Sequence, residues 1–282
     1  MDMLTGLVAR SQALLFVAEA LAIALVAKNV DDWRTSSFDD DQLIVGQGNV
    51  ALGIRRAGLL LGGMIAMAGV LAGTSQDLAA DAAAVLLFGS AAYAALFLAR
   101  WLSHTVMLRG ISDDGECAKG NVAVGTMQCG IFVATGILLN GALSGEGTDL
   151  WQGLHAFALF FVLGQAVFLA LAFVCQRLTP FDDRQELLRD NRAVAVEMAG
   201  LLVGLAIVLR AALLGPSQGF HSDSVGFLEN ACIGAVVLLI FQRVVRGLFL
   251  RGVTPARDLR DGNLAVALVL QALTIAFALL IA

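Results

Sequence analysis

Gly48-Asn49-Val50-Ala51-Leu52 opens a long apolar run, and its pattern returns three times. The other copies are Gly120-Asn121-Val122-Ala123-Val124, Asp190-Asn191-Arg192-Ala193-Val194 and Gly262-Asn263-Leu264-Ala265-Val266. Each is an Asn, any residue, an Ala, then an aliphatic residue. Successive Asn residues lie 72, 70 and 72 positions apart. Self-similarity at a fixed period sets an architecture before any single element does. A second period is more regular: Asn49 to Asn191 and Asn121 to Asn263 are both 142 residues. The flanks follow it to within one residue. Phe38-Asp39-Asp40-Asp41-Gln42 is echoed by Phe181-Asp182-Asp183-Arg184-Gln185, and Leu108-Arg109-Gly110-Ile111 by Leu250-Arg251-Gly252-Val253. The chain therefore reads as a tandem duplication of a module, residues 1–145 and 146–282, each module being two helix pairs.

Composition says where such a chain resides. It has 282 residues, 59% hydrophobic and 15% charged, with a net charge of −5 and a mean hydropathy of +0.82. A soluble domain carries about 45–50% apolar and about 25% charged residues. Both departures point to a polytopic membrane protein, with the lipid bilayer as its first partner. The acidic balance gives no footprint for nucleic acid.

A span needs about 20 apolar residues. Eight segments qualify: 5–28, 49–73, 79–102, 121–145, 152–176, 191–215, 225–249 and 263–282. The expected fold class is thus all-α, with eight transmembrane helices. The first segment is the weakest, because Arg10, Ser11, Gln12 and Glu19 interrupt it. It has no basic leader region and no small-residue cleavage site, so it does not read as a signal peptide. Loops 29–48, 103–120, 177–190 and 250–262 are charged, whereas 74–78, 146–151 and 216–224 carry no Lys or Arg. Of the 18 Lys and Arg residues, all but Arg10 and Arg210 lie in or beside the charged loops. The positive-inside rule puts those loops in the cytoplasm and both termini on the outer, periplasmic face.

Every Asn motif then opens an even-numbered helix at the cytoplasmic face. Nine residues on stands Gly58, Gly130, Gly200 or Ala272, and four further Gly62, Ala134, Gly204 or Ala276. Small residues at this spacing let helix backbones approach closely, which is what drives association in lipid. The even helices are therefore expected inside, as a ring or as two pairs. The Phe-rich odd helices are expected outside, their rings toward lipid or the periphery.

Asn49, Asn121, Asn191 and Asn263 read first as N-caps. Four helix N-termini at one mouth also give an anion-binding alternative. Charges within the spans are Glu19, Arg55, Arg56, Glu197 and Arg210; an ionisable group there is a functional hypothesis by default. Arg55 and Glu197 hold equivalent places, six residues after Asn49 and Asn191, and are expected to pair across the modules or to snorkel separately. Glu19 either lines a polar pathway or hydrogen-bonds a neighbouring helix. Gln128, Asn140, Gln165 and Gln271 are expected to make interhelical hydrogen bonds. Asp39-Asp40-Asp41 and Asp182-Asp183 read as a solvated acidic face, with loose divalent binding as the alternative.

Enzyme signatures such as HExxH, GxSxG or a Walker loop do not occur. The four Cys and three His are scattered without metal-ligand spacing. The expectation is no catalytic residue, no metal and no cofactor.

The Asn-x-Ala motifs at Asn49/Ala51, Asn121/Ala123, Asn191/Ala193 and Asn263/Ala265, with Gly58, Gly130 and Gly200, resemble the YjfL-type bacterial inner-membrane proteins, domain-of-unknown-function family 350. The resemblance covers nearly the whole chain as two fused modules. The fourth copy departs, with Ala272 in place of Gly, which implies looser packing there. What the resemblance implies is an inner-membrane protein near envelope stress, with phage-shock-type or ATP-grasp enzymes as partners. Two functions follow as expectations: a non-enzymatic membrane scaffold, possible also as a homo-oligomer, or a channel or transporter for small ions or polyamines along the inner helices.

Overall fold

The structure, a computed structural model, describes residues 2–35, 37–72, 77–144, 150–179, 181–214, 219–249 and 255–282. Every regular element among them is helical. Four long outer helices, α1 (Asp2–Arg34), α3 (Leu78–Val106), α6 (Leu150–Leu178) and α9 (Phe220–Phe249), alternate with four inner ones, α2 (Val50–Ala72), α5 (Val122–Leu143), α8 (Arg192–Leu213) and α11 (Leu264–Ile281). Three short helices precede α5, α8 and α11: α4 (Asp113–Ala118), α7 (Asp183–Leu188) and α10 (Pro255–Arg260). A π-helical turn, Gln42–Gly46, precedes α2. The loops read from sequence as charged connections are thus mostly helical. The first of them also contains the last turns of α1, which runs to Arg34 rather than ending near residue 28. Most of the loops free of Lys and Arg, and the Leu250–Val253 echo, lie outside the described residues, as do the side chains of Arg10 and Ser11.

Eight of the described helices are long and apolar enough to cross a membrane. The inner four form neither a ring nor two pairs. α2 packs on α5, α5 on α8 and α8 on α11, and α2 and α11 are not among the extensively packed pairs. They stand in a row, all pointing the same way. A Cβ on Gly58 would lie 2.5 Å from Cys129 Cα, one on Gly130 2.5 Å from Ala199 Cβ, and one on Gly200 2.6 Å from Gln271 Cβ. Each contact steps forward by about one repeat, so the register of the packing is the register of the sequence.

The row also accounts for the missing fourth glycine. Gly58, Gly130 and Gly200 each admit the next inner helix. On α11 no described helix packs on the corresponding face, and Ala272 and Ala276 are exposed. The α5 and α8 spans are each 72% buried, whereas α11 is only 33% buried, no more than the outer helices α3 and α6. The expectation that all even helices are interior holds for three of the four.

The Phe expectation fails in part. Phe16, Phe157, Phe161, Phe168 and Phe227 sit on outer helices yet are buried. They point inward because helices made of Gly and Ala leave grooves, and close packing fills them with large rings from the outer layer. Phe173 and Phe249 do face outward.

Candidate functional site

Each inner helix starts at a residue with positive φ, Gly48, Gly120, Asp190 or Gly262, followed by the Asn. The left-handed residue turns the chain from the preceding short element into the cap. Asp190 is the exception in that set, a non-Gly residue at φ 56°. Its carboxylate accepts from Ala123 N at 2.8 Å and pairs with Arg192 at 3.1 Å, contacts that a Gly could not make.

All four Asn side chains cap their helices: Asn49 Oδ1 accepts from Leu52 N, Asn121 from Val124 N, Asn191 from Ala193 N and Val194 N, and Asn263 from Val266 N. The other end of the amide does something that a cap motif does not announce. Asn49 Nδ2 donates to Cys117 O and Ala118 O, each at 3.0 Å. Asn121 Nδ2 donates to Leu187 O at 2.9 Å. Asn191 Nδ2 donates to Leu259 O at 3.0 Å and Arg260 O at 3.1 Å. Each of these backbone acceptors is a C-terminal carbonyl of the short helix before the next inner helix, and Asn191 Nδ2 also donates to Glu186 Oε2 of the short helix before its own at 2.9 Å. The Asn is a bracket between successive units, and it satisfies first-turn donors and last-turn acceptors together. The caps thereby engage part of the first-turn N–H set on which the anion-site alternative would draw.

Arg55 and Glu197 do not pair. Arg55 is fully buried within the first module and donates to Asp31 at 2.8 Å and Asp40 at 2.6 Å, and also to Asp114. Arg56 bonds Asp40 at 2.9 Å and Asp41 at 3.1 Å, and also Asp32. Arg100 bonds Asp113 at 3.0 Å and Asp114 at 2.6 Å, and Arg34 reaches Asp114 at 2.7 Å. Lys28 completes the set with Asp32 and Asp41. A buried charge is tolerable only with such partners. Burial opposes the ionised form of Asp114, but the hydrogen bond from Arg34 and the charges of Arg100, Arg34 and Arg55 outweigh it and hold the carboxyl well below the usual range. The acidic run 39–41 is a solvated face only in part: Asp39 is exposed and accepts from Gln42 N, Asp41 is exposed and pairs with Lys28 and Arg56, but Asp40 is buried.

At the matching place in the second module the chemistry changes. Glu197 stands where Arg55 stood, Gln242 where Arg100 stood, Phe173 where Asp31 stood and Ala256 where Asp114 stood, each 142 residues on. None of these four residues is kept, and a cavity of about 400 Å³ occupies this end of α6, α8 and α9. Its polar lining includes Thr179, Asp183, Glu197, Gln242 and Arg243, and its walls are chiefly Leu, Met, Val and Ile. Glu197 accepts from Gln271 Nε2 of α11. Gln242 Nε2 donates to Thr274 Oγ1 at 3.2 Å. Asp183 is buried; Oδ2 accepts from Thr179 at 3.2 Å, and Oδ1 has no hydrogen-bond partner among the described residues. Burial first, then repulsion from Asp182, Glu197 and Glu186, against the Thr179 hydrogen bond, pushes this carboxyl up to about 7.

The remaining intramembrane polar residues divide. Arg210 Nε donates to Asn140 Oδ1 at 2.6 Å, and Asn140 Nδ2 to Ile65 O at 2.8 Å, tying α2, α5 and α8 together at the far end. Gln271 makes its interhelical bond to Glu197. Gln128 and Gln165 are buried with no side-chain partner among the described residues, contrary to expectation. Glu19 Oε2 is likewise without one. Gly62 and Gly204 meet α5 and α11 as the small-residue pattern requires. The sequence reading missed Asp31, Asp32, Arg100 and Asp114 as one cluster and Asp183 as a cavity residue. The signal available was the module-to-module replacement of Arg55 by Glu197 and Arg100 by Gln242.

The family model described as Domain of Unknown Function (DUF350) matches twice in tandem, over residues 2–143 and 149–282. A UPF0719 transmembrane protein of Aquifex aeolicus (strain VF5) is 24% identical over 184 residues, covering 65% of this chain and 68% of the relative. No solved structure matches the chain.

Proposed function

The chain belongs to the DUF350 family in both of its halves, and from its geometry we propose that it is a non-enzymatic membrane scaffold, serving membrane maintenance through its charged end. One observation carries this reading. The inner row is closely packed at Gly58, Gly130 and Gly200, where an added Cβ would clash with the next helix and where a conduit along the inner helices would have to run. The cavity offers no way through either. Its lining on α8 extends from Glu197 to Leu202, about 8 Å of helix against a hydrocarbon core of about 30 Å. The bracketed short helices and the ion cluster make a rigid platform on the same side.

In this reading the charged loops face the cytoplasm of a bacterial inner membrane by the positive-inside rule, with both termini outside. A link to envelope stress, and docking of phage-shock-type or ATP-grasp proteins on the platform, rest on the family resemblance. The test is flux in proteoliposomes loaded with the purified full chain. The expected result is leakage of small cations and polyamines no faster than from empty vesicles. Selective flux that Glu197→Gln or Glu19→Gln abolishes would establish the transporter reading instead.

A further inference from the structure

Four equivalent positions stand near the start of the short element before each inner helix: Asp40, Asp113, Asp183 and Pro255. The three carboxylates are all buried, but they are compensated differently. Asp40 receives Arg55 and Arg56. Asp113 receives Arg100. Asp183 receives the Thr179 hydroxyl and lines the cavity, and its Oδ1 is buried and bare of any hydrogen bond among the described residues. In the first module guanidinium groups fill the corresponding space. In the second their places are taken by Glu197 and Gln242, and the space is open.

An apolar cavity lined by a buried carboxylate that has only a neutral hydroxyl for a partner is arranged for a cationic group with N–H donors, because a buried carboxylate is satisfied only by a paired donor. We propose that the cavity takes the primary ammonium of an aminophospholipid headgroup, with Asp183 as its anchor. Three features select this occupant. The walls at the outer side, Leu178, Val236 and Ile240, are more than half exposed on helices that face lipid, so acyl chains can lie along them. Arg243 lines the same cavity and is exposed, so a phosphate has a partner beside the ammonium. That same arginine disfavours a simple polycation. A metal ion is the poorer fit, since among the described residues no group of three or more His, Cys, Asp or Glu side chains is gathered to hold one. The size, about 400 Å³, falls within the range of about 300–1,000 Å³ typical of small-molecule sites.

The experiment is native mass spectrometry of the full chain in detergent. It is offered phosphatidylethanolamine, its N-methyl and N,N-dimethyl forms, phosphatidylcholine and phosphatidylglycerol, all with identical acyl chains. A primary ammonium offers three donors and a quaternary one none. Retention is therefore expected to fall stepwise with methylation, by about tenfold from phosphatidylethanolamine to phosphatidylcholine. The Asp183→Asn variant, checked for native helicity, is expected to lose that discrimination. Equal retention of the two lipids by the unmodified chain overturns the proposal, as does discrimination that survives in folded Asp183→Asn. Displacement of the lipid by free ethanolamine at equal concentration overturns the lipid as occupant and assigns the site to a soluble amine. If Asp183→Asn does not fold, the methylation series on the unmodified chain decides alone. None of these outcomes depends on flux, so the site and the scaffold reading stand or fall separately.

Discussion

Replacing Arg55 with Met removes the centre of the first module's ion cluster while keeping most of the side chain's apolar stem. Asp31 and Asp40, whose side chains are 2% and 1% exposed, each lose a partner. Removing one member of a buried ion pair costs about 3–5 kcal/mol, because the remaining charge stays desolvated. Neither carboxylate is wholly stranded here, since Asp31 keeps Arg34 at 2.9 Å and Asp40 keeps Arg56 at 2.9 Å. The expected loss is therefore at the lower end, about 3 kcal/mol. Equilibrium unfolding in mixed dodecyl maltoside and SDS micelles measures it, followed by the fluorescence of Trp33 and Trp101. Adding Asp40→Asn to Arg55→Met removes one of the under-compensated carboxylates and is expected to recover about half of the loss. The exchange of Arg55→Glu with Glu197→Arg is the decisive control. It sets a fourth carboxylate among Asp31, Asp40 and Asp114, and the new arginine lies on another helix beside Gln271, so the pair should be no more stable than Arg55→Glu alone. Rescue by that exchange, or a loss below about 1 kcal/mol for Arg55→Met, would refute the reasoning.

Gly130→Val is expected to separate α5 from α8 and cost about 3 kcal/mol or more, whereas Ala272→Val on the bare flank of α11 should stay within about 0.5 kcal/mol; the same unfolding assay compares them. Asn191→Ala removes a cap and strands Leu259 O and Arg260 O, so it should cost about 2–3 kcal/mol, against about 1 kcal/mol for Asn263→Ala, whose amide nitrogen brackets nothing among the described residues. Asp183 sets a pH dependence. Its carboxyl is raised in the fold from 3.8 to about 7, so the unfolded chain releases this proton first as pH rises. The contribution of this group to stability should then fall between pH about 4 and about 7. Thermal unfolding of detergent-solubilised Asp183→Asn should show a flatter profile over that interval, and an unchanged slope would contradict the assignment.

What was legible in the sequence was whatever depends on period. The Asn spacing gave the number of units, the glycines nine residues on gave the contact between inner helices, and the 142-residue echo gave the duplication. Hidden were features that need a third dimension. Nothing in Asn49 says that its amide nitrogen reaches Cys117 and Ala118, because that contact joins residues 68 and 69 positions apart through a turn of the main chain. Asp31 was counted as loop because the apolar run stops before it, yet α1 continues and carries it beneath Arg55. Glu197 was paired with Arg55 on equivalent depth alone. Equivalence under a repeat places residues in like surroundings, and in a row like surroundings are one or more helices apart. The looser packing expected at Ala272 shows as exposure of that face of α11 among the described residues.

A row has ends, and a closed bundle has none. Because each inner helix reads only its neighbour, through one glycine notch and one amide bracket, cohesion here is local and cumulative, much as in stacked repeat proteins. Lengthening such an array asks for no redesign of what already exists: a further unit needs a small residue at position 272 and a short helix whose last carbonyls reach Asn263. The two modules differ in how far their interiors have diverged around the same frame, one filled with ions and the other hollow. Duplication in this form leaves one copy to keep the structure standing and frees the second to acquire a chamber.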